Sequence, residues 1–308
     1  MQIFSRKIIL EENERFSSYE NWQKLYKSKE YGCLIPNTEI IQDRTTVLKI
    51  NSLGCRGEEI DPSKPSILFL GDSTTFSVSF ASKSWPEYVT IPKCQILNAG
   101  VEGINIDMCV KRYQHLSAHA VIAAVVVYTG WHNIIYGDRG ETYWRNALSN
   151  INFSGKVAFC SIATCLTNEC RTLGVERFLN ESRIHEKMNC REYLKDMEEN
   201  YFNFWSDIPP SLENINLILD GISSYNKFIK KFCQENNHIF IDLETMFTPS
   251  LYDHVPSDFY DVCHFRPSVY KSIGNFVANT IAPHISTVES HKQEDTQNDL
   301  RKNMYSIF

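Results

Sequence analysis

Short apolar runs, separated by longer mixed segments, recur along most of the chain. Runs of strand length lie at residues 67–70, 95–97, 121–128, 156–166 and 238–243. The run at 121–128, VIAAVVVY, is apolar at nearly every position, which is typical of a parallel strand covered on both faces. Residues 104–116, 212–234 and 266–281 have the character of helices. The alternation predicts an α/β fold with a parallel sheet of about five strands and helices on both faces.

The segments around this core differ from it in composition. Residues 1–60 are polar and aromatic, and we expect an N-terminal extension packed on the core, with a helix near residues 19–28 and irregular structure after it. The main domain is predicted to cover residues 61–284. Within it, residues 137–212 are predicted to form an insertion. Residues 167–215 are charged and aromatic without a clear strand, which indicates largely helical structure, while residues 285–308 form a polar tail.

Residues that could take part in catalysis or binding follow three of the predicted strands. Ser73 comes directly after the first run in Gly71-Asp72-Ser73, Gly100 ends Asn98-Ala99-Gly100 after the second, and Asn133 follows the third. In a parallel α/β sheet, ligands bind at the carboxyl ends of the strands. A serine at a strand-to-helix turn presents its hydroxyl and its own N–H on one side, as a nucleophile requires. The alternative is a capped turn that happens to contain serine.

A fourth polar segment, Asp261-Val262-Cys263-His264, lies near the C-terminus. Of the nine histidines, only His264 has an aspartate three residues before it. One short loop can therefore place both side chains together, so that the carboxylate orients the imidazole and the imidazole reaches a serine. The alternative is a histidine that caps the helix beginning near Arg266-Pro267.

These four segments, in this order, resemble the blocks of the SGNH (GDSL-type) hydrolase family over about residues 51–281. The resemblance implies a flavodoxin-like sheet and a serine esterase that cleaves a carboxylic ester of a small molecule or glycan, such as an acylated sugar or lipid. It implies a catalytic triad of Ser73, Asp261 and His264. It also implies an oxyanion hole formed by the N–H groups of Ser73 and Gly100 and the Asn133 side chain. The same site would serve an acyltransferase that moves acetyl groups to a sugar, and a catalytically inactive binding protein is the third alternative.

The third of these segments departs from the family pattern after Asn133, where Ile134 stands in place of the usual aspartate. Trp131 and His132 are candidates to line the pocket, and Arg56 either binds a substrate carboxylate or braces a loop. Because the predicted insertion begins just after the Asn133 loop, we expect it to form part of the wall over the site. Most of its aromatic side chains should pack on the core, and only a few, near Tyr143-Trp144, should meet the substrate.

Charge and composition disfavour some classes of function. The net charge of −6 implies no broad basic surface, which disfavours nucleic-acid binding. No apolar stretch approaches the length of a membrane span, and no export signal is evident, so a cytoplasmic location is expected. Cys160, Cys165 and Cys170 are separated by gaps of four residues without a pair of pairs, which favours buried thiols over a zinc site. We expect neither metal nor cofactor.

Overall fold

The computed structural model describes residues 6–10, 25–28, 33–42, 45–77, 83–136, 140–164, 212–247, 258–259 and 263–285. Its strands are β1 (Arg6–Leu10), β2 (Tyr26–Ser28), β3 (Cys33–Leu34), β4 (Thr38–Gln42), β5 (Thr45–Ile50), β6 (Ser66–Gly71), β7 (Gln95–Asn98), β8 (Ile122–Tyr128), β9 (Lys156–Cys160) and β10 (Ile239–Ile241). Its α-helices are α1 (Ser73–Phe76), α2 (Ile106–Ser117), α3 (Trp131–Tyr136), α4 (Glu141–Leu148), α5 (Leu212–Asn236), α6 (Leu243–Met246) and α7 (Pro267–Ile281). Two 3₁₀ helices lie at Trp85–Tyr88 and Ala282–His284.

The central sheet has five strands in the order β10-β9-β8-β6-β7, and every adjacent pair is parallel. The prediction of a five-stranded parallel α/β sheet is therefore confirmed. The order is the flavodoxin-like one, in which the chain first adds a strand on one side of β6 and then continues on the other. The crevice between the ends of β6 and β8 is the topological switch point, where ligands bind in such sheets.

Burial explains why these runs became strands. Every residue of β6 is buried, and β8 is buried from Ala124 to Tyr128. The helix α4 packs against both α2 and α5. The helix α7 packs on the 3₁₀ helix at Trp85–Tyr88 and on β10. Among the described residues, no helix combines the length and apolar character needed to cross a membrane.

The N-terminal segment differs from the prediction. Residues 26–28 form β2 rather than part of a helix, and the region expected to be irregular holds β3, β4 and β5. β4 pairs in parallel with β1 and antiparallel with β5. In Thr38-Glu39-Ile40-Ile41 the side chains alternate between buried and half-buried, the two-residue period of a strand with one covered face. The aromatic residues that suggested a helix lie largely in residues 11–24, outside the described ranges.

The predicted insertion at residues 137–212 also needs correction. β9, at Lys156–Cys160, lies inside that range, yet it is a strand of the central sheet between β8 and β10. α4, in the same range, packs against α2 and α5. Both segments are held by buried apolar side chains and therefore belong to the core. Residues 165–211 and the tail from 286 onward lie outside the described residues.

Candidate active site

Ser73 lies where β6 turns into α1, at the switch point of the sheet. Asp72 is the N-cap of α1: its side chain accepts hydrogen bonds from the Thr74 N–H at 3.0 Å and the Thr74 hydroxyl at 2.6 Å. Asp72 is thus the structural capping residue that an aspartate at a helix start usually is. Ser73 is the first helical residue, a position whose N–H has no partner within the helix.

A four-residue helix cannot satisfy its own carbonyl groups, and distant side chains do this for α1. The Trp85 indole Nε1–H donates to the Thr74 carbonyl at 2.9 Å. The Asn98 Nδ2 donates to the Thr75 carbonyl at 3.1 Å. These bonds attach the turn that carries Ser73 to the 3₁₀ helix and to the end of β7.

Arg56 completes this support. Its Nη1 donates to the Phe76 carbonyl at 2.8 Å and to the Ser77 carbonyl at 3.0 Å, and its guanidinium lies 5.0 Å from the centroid of the Phe76 ring. Arg56 is only 3% exposed, and burial lowers its pKa by desolvating the charged form. Arg56 therefore braces the end of α1, which is one of the two roles that the sequence left open for it.

His264 lies beside Ser73. The distance from His264 Nε2 to Ser73 Oγ is 2.8 Å, within hydrogen-bond range. The next residue, Phe265, forms a β-bridge with Phe259 and stacks on Tyr128 at 5.9 Å between ring centroids. The structure thus brings together two residues that are 191 positions apart in the sequence.

The other imidazole nitrogen of His264 has a neighbour that the sequence did not suggest. The Cys263 Sγ lies 3.4 Å from His264 Nδ1, and the Cys263 side chain is buried. Asp261, the predicted partner of this nitrogen, lies outside the described residues. The adjacency of Cys263 in the sequence was the only available signal, and a thiol is only a weak hydrogen-bonding group.

Asn133 lies at the start of α3, directly after β8, and is 1% exposed. Its Oδ1 accepts a hydrogen bond from the Ile106 N–H at 3.0 Å, and its Nδ2 donates to the Tyr143 hydroxyl at 3.2 Å. The Ile106 N–H is the first of α2 and would otherwise lack a helical partner. These contacts identify which end of the amide is oxygen, so Nδ2 is the end that can donate to a ligand.

Gly100 serves a packing role in this structure. Its N–H donates to Asn98 Oδ1 at 3.0 Å, and a Cβ on Gly100 would lie 2.3 Å from the Phe76 backbone nitrogen. Glycine is therefore required here for the close approach of the loop to α1. The sequence did not single out Gly103, which lies in the same loop. Its φ is +70°, and open space surrounds the position that a Cβ would take. No described residue accepts a hydrogen bond from its N–H.

The remaining candidates around Asn133 are mostly buried. Trp131 is 3% exposed, and His132 is half-buried. Ile134 is fully buried. Trp144 is 1% exposed and packs edge-on against Tyr225 at 5.0 Å, so it is a core residue and the expectation that it meets substrate is wrong.

The Asp72 carboxyl group is buried next to the Ser73–His264 pair. Burial raises its pKa because the interior disfavours the carboxylate, while the Thr74 hydrogen bonds and the nearby His264 act in the opposite direction.

The cysteines of the described part are free thiols. Burial raises the pKa of Cys55 to about 11 and that of Cys109 to about 12, so both stay protonated. Cys165 and Cys170 lie outside the described residues. Among the residues that the structure describes, no group of three or more His, Cys, Asp or Glu side chains could hold a metal ion.

No family model and no curated protein matches the sequence. Solved structures do match its fold. A G-D-S-L family lipolytic protein from Veillonella parvula is 16% identical, with a TM-score of 0.44, covering 72% of this chain and 99% of its own. A lipase/acylhydrolase from Enterococcus faecalis is 16% identical, with a TM-score of 0.47 and coverages of 73% and 100%. An acetylxylan esterase from Geobacillus stearothermophilus is 14% identical, with a TM-score of 0.43 and coverages of 74% and 97%.

At these identities and TM-scores the likeness concerns the fold alone and assigns no residue a role. The structural neighbours across most of the chain are lipolytic proteins of the G-D-S-L (SGNH) type and acetylxylan esterases.

Proposed function

We propose that this chain is a serine ester hydrolase with Ser73 as nucleophile and His264 as general base. The observation that carries the proposal is the 2.8 Å distance between His264 Nε2 and Ser73 Oγ at the switch point of the sheet. A serine hydroxyl becomes a useful nucleophile when an adjacent base accepts its proton. The substrate class is a carboxylic ester, such as an acylated sugar or lipid.

In the acylation step, Ser73 Oγ bonds to the carbonyl carbon of the ester while its proton passes to His264 Nε2. The carbonyl electron pair moves to the oxygen, and the oxyanion accepts hydrogen bonds from the Ser73 N–H and Asn133 Nδ2. Breaking the bond to the alkoxy oxygen then releases the alcohol, which takes the proton from His264. Water then attacks the acyl carbon of the acyl-enzyme while His264 Nε2 takes its proton. The bond to Ser73 Oγ breaks, Oγ regains a proton from His264, and the carboxylic acid leaves.

Two further roles belong to the proposal. Asp261, which lies outside the described residues, is assigned the role of orienting His264 and stabilising the imidazolium that forms during the reaction. A role for the Gly100 N–H in the oxyanion hole requires its bond to Asn98 Oδ1 to open. The Gly103 N–H follows in the same loop and makes no hydrogen bond to a described residue, so it is the more available donor.

The proposal is tested by replacing Ser73 with alanine. Ser73→Ala should reduce kcat for para-nitrophenyl esters by about a thousandfold or more, since the nucleophile is lost, without changing the melting temperature. A serine-directed phosphonate should label the wild type at Ser73 alone. Ser117→Ala, at the exposed end of α2, is the matched control and should keep full activity and labelling.

Near-normal esterase activity in Ser73→Ala, or labelling at another serine, would contradict the assignment. Acetylated sugars and a free sugar acceptor belong in the same assay, because the products then show whether water or a sugar hydroxyl receives the acyl group.

A further inference from the structure

The Tyr143 hydroxyl joins the Asn133 side chain to a carboxylate. It lies 3.2 Å from Asn133 Nδ2 and 2.5 Å from Asp107 Oδ2. The three residues come from different elements: Asn133 from α3, Tyr143 from α4 and Asp107 from the first turn of α2. Packing of α2 against α4 holds the two supporting residues together.

The direction of each hydrogen bond follows from the groups involved. A carboxylate can only accept, so the single O–H proton of Tyr143 goes to Asp107. The Tyr143 oxygen then accepts a hydrogen bond from Asn133 Nδ2. A hydrogen bond to a charged acceptor is stronger than a hydrogen bond to a neutral acceptor. Asp107 therefore fixes the Tyr143 hydroxyl in this direction.

Two contacts therefore fix the plane of the Asn133 amide. Ile106 N–H binds its oxygen at 3.0 Å, and Tyr143 Oη accepts one of its two N–H bonds. The second N–H donates to no described residue, and its direction is determined once the first two contacts are made. The neighbouring Ile134 has an apolar, buried side chain, which cannot hydrogen-bond to the amide.

We propose that Tyr143, held by Asp107, is a positioning residue that aims the second Asn133 N–H at the oxyanion. This inference rests on the proposed function, because it assigns the support of one of that site's donors. It also gives Tyr143 a different role from the substrate-wall residue that the sequence suggested. A preorganised donor stabilises the transition state more than one that must reorient during the reaction.

The test combines Tyr143→Phe with Asn133→Ala. An oxyanion donor is worth about a hundred- to a thousandfold in kcat, and loss of its support should cost roughly tenfold, with KM nearly unchanged. In the Asn133→Ala background, Tyr143→Phe should cause no further loss, because its effect passes through the absent amide. Tyr113→Phe is the matched control: Tyr113 lies on α2, its hydroxyl makes no hydrogen bond to a described residue, and kcat should not change.

Asp107→Ala provides a second route, because this exposed side chain can be removed without opening the core. It should lower kcat less than Tyr143→Phe does, and Asp107→Asn, which keeps an acceptor, should restore most of the loss.

The outcomes separate the two proposals. An active wild type with an unchanged Tyr143→Phe, or losses that multiply in the double variant, would overturn the inference and leave the esterase intact. A folded wild type without ester hydrolysis or phosphonate labelling would remove the proposed function, and the inference with it.

Discussion

Asp72 holds a buried carboxyl group at the start of α1, and its environment makes the stability of the fold depend on pH. Burial raises its pKa in the folded state above the unfolded value of about 3.9. The fold therefore favours the neutral acid. The stabilisation is fully present below the unfolded pKa and is lost as pH rises through the folded pKa.

Asp72→Asn should reveal this dependence because asparagine keeps an oxygen for the cap but cannot ionise. The free energy of unfolding of the variant, minus that of the wild type, should increase as pH rises from below about 4 through the folded pKa, and then level off. Urea unfolding at several pH values measures the difference. A flat or decreasing difference would show that the fold does not destabilise the Asp72 carboxylate.

At the scale of the elements, the sequence was most informative where a strand ends. The predicted ends of the first three central strands agree with β6, β7 and β8 within about one residue. Because parallel strands align their carboxyl ends, this placed Ser73 and Asn133 at one edge of the sheet. Fully apolar runs of this kind have few alternatives to a buried strand.

The support of the site was not predictable in the same way. The Arg56 bonds to Phe76 and Ser77 span 20 and 21 residues, and they depend on rotamers and on the helix that they cap. Nothing in the local sequence distinguishes such an arginine from one that binds substrate. The short strands β1 to β5 were missed because their pairing, such as that of β1 with β4, is set by contacts distant in the chain.

Gly100 and Gly103 lie in one loop but should respond differently to alanine. In Gly100→Ala the new Cβ would lie 2.3 Å from the Phe76 nitrogen, so α1 must shift, and both stability and Ser73 reactivity should fall. Gly103→Ala meets no neighbouring atom and should cost only about 1 kcal/mol, the penalty of a left-handed backbone. Thermal unfolding and phosphonate labelling of the pair measure both effects. Equal losses in the two variants would contradict the packing role of Gly100.

At the scale of the whole molecule, the N-terminal strands β3, β4 and β5 support the loops of the candidate active site. Their buried side chains Leu34, Ile40, Leu48 and Ile50 share one apolar cluster with Phe76, Val101, Ile104 and Cys109. Phe76 ends α1, Val101 and Ile104 lie in the loop after β7, and Cys109 lies on α2, whose first N–H binds Asn133. The residues before β6 are thus part of the support for both Ser73 and Asn133.

Ile40→Ala tests this support from a position remote in sequence from every candidate site residue. Ile40 is fully buried, so the truncation should cost roughly 2–5 kcal/mol through lost burial and the cavity left behind. We expect the rate of Ser73 phosphonylation per folded molecule to fall as well, because the loops lose part of their apolar backing. Ile229→Ala is the matched control: Ile229 is equally buried, but it lies on α5 outside this cluster. It should lose similar stability at an unchanged labelling rate. Labelling should be measured where circular dichroism shows all three proteins folded. Equal labelling rates for both variants and the wild type would mean that β3, β4 and β5 stabilise the chain without shaping the site.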